Sequence, residues 1–341
     1  MTDEEQGTAL DEQVKQESGR RTRRSFLAAA VAAAAGYGAY RWIDRSPGDQ
    51  LLPRPLRKAL NLNERVARGV FEDRGLAPTY PVSKSAELRI NGVDGLKQEL
   101  VPESWRLQMV GVEQPTRFSQ YVSDVTAWDY RYTAKKGDAD SGNHDTKVAP
   151  KAGGGDAPAK MPPEFEAAFA ALKKSQGNKR PRGQEEAGKS DNTLDPGTPG
   201  LLLTLEDVTK LPHHELVTEF KCIEGWSQIV HWGGVRLADL IAAYPPAKSA
   251  DGSVPKYVYM ETPDGDYYTG FYRKECLHPQ SLLVTEMAGK PLTQWHGAPL
   301  RLHMPIKYGY KQIKRIGLIA YTDMRPDDYW TKLGYDWYAG L

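Results

Sequence analysis

Apolar residues along this chain change their spacing several times, and each change marks an element. Leu56, Leu60, Val66, Val70 and Phe71 recur at helical intervals behind Pro55, a residue suited to a first turn, and predict a helix over 51–75. Ala77 to Pro81 reads as a turn. Leu88-Arg89-Ile90-Asn91-Gly92 reads as a strand entering an Asn-Gly turn, and the alternation from Arg106 to Val110 as a further strand. Thr204-Leu205-Glu206-Asp207 opens a capped short helix that ends near Pro212. Val217 to Cys222 is a strand that delivers Cys222 to its end. Val235 to Ala243 is a helix with Leu237, Leu240 and Ile241 inward. Tyr257–Met260, Leu300–Met304 and Ile316–Tyr321 complete the set of predicted strands. No repeat is visible. Strands and short helices without strict alternation predict an α+β fold, not a doubly wound sheet.

Roughly 134–200 breaks the pattern. It holds Gly153-Gly154-Gly155 and Asp195-Pro196-Gly197-Thr198-Pro199-Gly200 with few large apolar residues, a composition that cannot bury enough surface to offset ordering entropy. The expectation is a flexible insertion in a catalytic body of 51–341. One short helix is expected within it, from Pro163 to Lys174, with Phe165, Phe169 and Leu172 on one face.

Composition adds bounds. Of 341 residues, 40% are hydrophobic and 26% charged, and the formal net charge of +1 gives no field that would draw nucleic acid. At the N-terminus, Arg23-Arg24 stands before an apolar run from Phe26 to Tyr40, which reads as a twin-arginine export signal over 1–45. That run is short of the roughly 20 residues a membrane span needs. Ala33-Ala34-Ala35 offers a cleavage site, so removal of the signal and retention as a membrane tether are both open. The twin-arginine machinery carries folded proteins, which hints at a cofactor inserted before export.

Two cysteines occur, Cys222 and Cys276. A thiol at a strand end before Gly225 can face a cavity, and four roles are open to it: metal ligand, nucleophile, disulfide partner or core thiol. A second cluster runs from His296 through Arg301 to Lys307, Lys311, Lys314 and Arg315. Cations among glycines and aromatics suit an anion, or form a solvated basic surface.

Phe220-Lys221-Cys222-Ile223-Glu224-Gly225-Trp226-Ser227 and Trp232-Gly233-Gly234-Val235-Arg236-Leu237 resemble the signature of the oxidoreductase molybdopterin-binding domain. The likeness continues through Tyr259-Met260-Glu261-Thr262, Leu283 to Leu292, His296-Gly297-Ala298-Pro299-Leu300-Arg301 and the Lys-Tyr-Gly-Tyr-Lys-Gln-Ile-Lys stretch. That family holds sulfite oxidases, plant-type nitrate reductases and periplasmic methionine-sulfoxide reductase catalytic subunits. The resemblance implies a sulfite-oxidase-type fold of mixed β-sheets and short helices, and a molybdenum-molybdopterin cofactor. It makes Cys222 the catalytic metal ligand. His296 and Arg301 would hold the pterin and its phosphate, Thr262 would contact the pterin, and Lys311, Gln312, Ile313 and Lys314 would grip the terminal phosphate. Asn63 corresponds loosely to an N-terminal asparagine at the cofactor.

A soft thiolate suits a high-valent metal that already carries sulfur ligands, and a buried phosphate needs cationic partners. A Cys222–Cys276 disulfide would abolish the ligand, so the two readings exclude each other. Sulfite oxidases carry an arginine shortly after the ligand cysteine, whereas Ile223-Glu224-Gly225-Trp226-Ser227 has none and one carboxylate. This tilts the expected substrate from a dianion to a small sulfoxide. The expected function is oxygen-atom transfer by an exported enzyme, with a sulfite oxidase-like dehydrogenase and a cofactor-free binding protein as alternatives. A separate electron-transfer partner, such as a membrane haem protein, goes with this reading. A monomer is expected, because the residues after Lys314 leave no room for an immunoglobulin-like dimerisation domain. Trp226, His231, Trp232, Tyr267, Tyr268, Tyr272 and Tyr308 are candidates for the pocket wall.

Overall fold

The structure is a computed structural model and describes residues 25–49, 51–70, 75–92, 94–96, 99–100, 102–103, 105–115, 130–131, 187, 190 and 200–341. The arginine pair, the 163–174 helix and almost all of the 134–200 insertion lie outside these residues. The chain divides into one unit up to Leu62 and a larger one, Asn63–Leu341. In the first, a helix covers 25–45 and leaves Phe26, Val31, Tyr37, Tyr40 and Trp42 exposed. The next helix, Arg54–Val70, falls inside the predicted 51–75.

Ten strands build two five-stranded sheets in the larger unit: β1 (Leu107–Val110), β2 (Gly200–Leu203), β3 (His213–Lys221), β4 (Ser227–Arg236), β5 (Tyr257–Glu261), β6 (Tyr268–Tyr272), β7 (Leu282–Met287), β8 (Lys290–Pro291), β9 (Arg301–His303) and β10 (Leu318–Thr322). The first sheet has the order β6-β5-β10-β1-β2. Only β10 and β1 are parallel within it. The second runs β8-β7-β4-β3, and β9 also pairs with β7. With short helices at Leu205–Thr209, Leu237–Ala243, Arg273–Cys276 and Tyr329–Lys332, this is the α+β architecture the sequence predicts.

The main core lies against the first sheet, where Leu107, Met109, Val258, Met260, Phe271 and Ile319 are fully buried. Each such side chain contributes roughly 1.5–3 kcal/mol relative to exposure. The second sheet contributes side chains to two apolar clusters. Val235, Leu283 and Leu302 join the main core, while Phe220, Val230, Trp232 and Val284 form a second cluster against which Cys222 and Trp226 pack. The close approach of β4 and β7 depends on Gly234, where a Cβ would fall 2.1 Å from the Leu283 carbonyl oxygen.

Several expectations hold in detail. Thr204 and Asp207 form a reciprocal capping box at Leu205–Thr209, and Cys222 directly follows the last residue of β3. Others are corrected. Leu88–Gly92 is an extended segment outside any ladder, because its backbone groups bond to side chains: the Arg89 amide donates to Gln228 (3.0 Å), and Leu88 and Asn91 carbonyls accept from His296 and Lys314. Val235 and Arg236 belong to β4, so the helix begins at Leu237. Strands β4, β6 and β7 carry no clean alternation and escape sequence reading. Both cysteines are free thiols, which removes the disulfide reading.

Candidate functional site

β3 and β4 form a long hairpin whose tip is Cys222–Trp226. The Cys222 amide donates to the Trp226 carbonyl (2.9 Å), and Gly225 turns the chain at φ +87°, a conformation that disfavours any residue with a Cβ. The loop therefore presents the half-buried Cys222 thiol at the end of the second cluster.

Asn91 donates from Nδ2 to Cys222 Sγ (3.7 Å) and to Glu224 Oε2 (3.3 Å), and the same carboxylate accepts from Trp226 Nε1 (3.0 Å). Burial pushes the thiol up, and so does the Glu224 charge. The Glu224 amide and Asn91 favour the thiolate but do not offset this. Lys314 donates to the Asn91 and Gly92 carbonyls. Burial brings its ammonium down to about 7, and Arg301 pushes the same way, against the charges of Asp94 and Cys222.

The other half of the site follows the basic cluster. His296 is buried between Leu88 and Thr293: Nε2 donates to the Leu88 carbonyl (2.8 Å), so Nδ1 accepts from the Thr293 hydroxyl (2.8 Å). Arg301 is fully buried on β9. Its Nη1 donates to the His296 carbonyl (3.1 Å), its guanidinium lies over the Trp232 ring at 4.9 Å, and its Nε and Nη2 have no partner. The Trp232 indole N–H is buried and unpaired as well. Unmet donors on a buried cation are costly unless an anionic group meets them.

Contacts thus link Cys222, Lys314, His296 and Arg301 into one constellation. Other candidates lie elsewhere. Lys311 pairs with Asp328 (2.6 Å) and the Gly270 carbonyl (2.6 Å) in the core. Gln312 spends its amide on His303, Met304 and the Lys307 carbonyl, and Ile313 is a core side chain. Thr262 donates to Asp264 (2.6 Å) and accepts from the Tyr267 amide (3.1 Å) inside the β5–β6 turn. Asn63 is exposed on its helix, and the asparagine beside the thiol is Asn91. Its signal was the Asn-Gly pair that ends the Leu88–Gly92 stretch. Of the aromatic candidates, Trp226 and Trp232 line this region, whereas Tyr267 and Tyr268 pack on Tyr329, Tyr272 packs on Trp337, and His231 pairs with Glu215. Tyr308 stacks on Tyr310. Asn91 and Glu224 are the site residues that sequence reading left without a role.

Residues 197–330 match the family described as "Oxidoreductase molybdopterin binding domain". Among curated proteins the chain is 36% identical over 137 residues to a putative protein-methionine-sulfoxide reductase subunit, YedZ1, of Azospira oryzae, covering 40% of this chain and 50% of that one. It is 35% identical over 160 residues to the protein-methionine-sulfoxide reductase catalytic subunit MsrP of Campylobacter jejuni, covering 41% and 52%. MsrP of Xanthomonas axonopodis pv. citri is 34% identical over 141 residues, covering 38% and 44%. The chain spans about half the length of the curated relatives it matches. Among solved structures, the sulfane dehydrogenase SoxCD from Paracoccus pantotrophus aligns over 37% of this chain and 36% of that one, with 20% identity and a TM-score of 0.32.

Proposed function

We propose that this protein is an exported molybdenum-cofactor oxidoreductase that removes an oxygen atom from a small sulfoxide. The observation that carries this reading is the placement, on one apolar cluster, of a half-buried thiol and a buried guanidinium with two unpaired nitrogens. These residues fit the cofactor: a soft sulfur ligand for the metal, and unmet N–H donors for an anion. Cys222 would hold the molybdenum, Arg301 the phosphate, and His296 and Lys314 the surrounding pterin. When bound, the cofactor supplies a two-electron redox centre with an exchangeable oxygen site.

The chain's own residues then set the pocket. Asn91 holds the thiol and the Glu224 carboxylate together, so a neutral amide donor and a carboxylate stand beside the sulfur. The overall balance is sulfoxide, two electrons and two protons giving sulfide and water. Arg89, over the Trp226 ring at 5.5 Å, is an exposed cation near the hairpin tip, but the side chains bonded to the thiol are a neutral amide and, through it, a carboxylate. That environment favours an uncharged sulfoxide over dianionic sulfite. Electrons would come from a separate partner such as a membrane haem protein. Export follows from Arg23-Arg24. Among the described residues no helix is long and apolar enough to cross a membrane.

Molybdenum per chain, measured on full-length protein from a cofactor-making host beside Cys222→Ser, tests the class. Near one atom per wild-type chain and loss in the variant are expected. Sulfoxide reduction and sulfite oxidation with artificial donor and acceptor dyes then test direction. Sulfite turnover exceeding sulfoxide turnover would overturn the substrate reading.

A further inference from the structure

Arg301 has two donors to aim and only one hydrogen bond of its own, so something else must fix its plane. Two residues along β9, His303 is fully buried and bonded at both ring nitrogens. Gln312 Oε1 can only accept, so His303 Nδ1 carries the proton and donates to it (2.8 Å). Nε2 is therefore the acceptor for the Thr218 hydroxyl (2.7 Å). Gln312 is oriented in turn, since its Nε2 donates to the Lys307 carbonyl (2.9 Å) and its oxygen accepts from the Met304 amide (3.3 Å). One ordered chain of hydrogen bonds thus ties β3, four residues before Cys222, to β9 and to the 307–314 segment.

The imidazole held this way stacks on Trp232, with ring centroids 4.9 Å apart and planes at 29°. Trp232 has no hydrogen bond to fix its indole, and that same indole carries the Arg301 guanidinium. Burial brings His303 down to about 3, and the Arg301 charge adds to that against the Gln312 bond, so the ring stays neutral and in one tautomer across the ordinary pH range.

We propose that His303 is a positioning residue: pinned between Thr218 and Gln312, it fixes the Trp232 indole on which Arg301 rests and so aims the unpaired Arg301 nitrogens at an anionic group. The inference rests on the reading of Arg301 as an anion-holding residue, and it concerns geometry, not contact with the ligand.

The test uses full-length protein made without the cofactor, with inorganic phosphate as probe and calorimetry as readout. His303→Phe keeps a ring but loses both hydrogen bonds, and should weaken phosphate binding about tenfold. Thr218→Val should weaken it in the same direction by less, and it carries the test if His303→Phe does not fold. In an Arg301→Lys background, which keeps the charge but not the planar fork, either substitution should have no further effect. Unchanged phosphate affinity in the folded His303→Phe or Thr218→Val protein would overturn the proposal. So would an undiminished effect in the Arg301→Lys background, which marks a general loss of structure. Molybdenum content of wild type made in a cofactor-making host separates the two readings: its absence beside the expected phosphate pattern defeats the cofactor assignment and leaves the role of His303 standing.

Discussion

At the Cys222 sulfur, opposing local effects set reactivity, and each is assigned to a side chain. The Glu224 carboxylate raises the thiol and the Asn91 amide lowers it. In the cofactor-free protein, Glu224→Gln should therefore move the pH profile of iodoacetamide alkylation at Cys222 downward, and Asn91→Leu should move it upward. Cys276, buried in the core, should stay unlabelled in both. Coincident profiles would show that the carboxylate does not act on the thiol. Lys314 gives a second pH signature. Its folded-state value near 7 lies below the ordinary lysine value of about 10.4, so between these limits the unfolded chain binds more protons and stability rises with pH. Lys314→Met should remove that part of the rise, seen as a smaller gain in urea midpoint from pH 7 to 9.5 than in wild type. Equal gains would place the ammonium in solvent. Neither shift is visible in sequence, because Asn91 and Cys222 lie 131 positions apart.

Elements were legible where one period governs them. β1, β5 and β10 alternate or run apolar, and the capping box at Thr204 announces its helix. β4 was not legible, since Trp232-Gly233-Gly234-Val235 reads as a loop before a helix. The structure shows why the glycines are there: β7 lies too close to β4 for a side chain at Gly234. Gly234→Ala should accordingly cost at least about 2 kcal/mol, because the obstacle is backbone and the strands would have to part. A urea midpoint unchanged from wild type would show that the sheet accommodates the methyl group. The segment Leu88–Gly92 fails as a strand for the complementary reason. Its apolar spacing fits, but side chains from three other segments take its backbone bonds before a neighbouring strand can.

Across the whole molecule, the cofactor reading has a thermodynamic consequence independent of turnover. A group bound only by the folded state stabilises it by about 4 kcal/mol at a thousandfold excess over Kd, on the order of 10 °C in Tm at this size. Cofactor-loaded wild type should melt that much above cofactor-free protein, and Cys222→Ser should match the latter in either host. Equal melting of loaded and empty protein would mean that the site contributes nothing to the fold. The sequence by itself determined the α+β class, the order of the family motifs and the delivery of Cys222 to a strand end, because period, turns and short motifs are local properties. Only the tertiary structure decided that Lys311 closes a core ion pair while Lys314 reaches the thiol's neighbourhood. It alone brought Asn91 to the Cys222 thiol and joined His303 to Thr218 across 85 positions. Those outcomes depend on which strands meet and which buried donors are left unpaired, and spacing along the chain does not encode either.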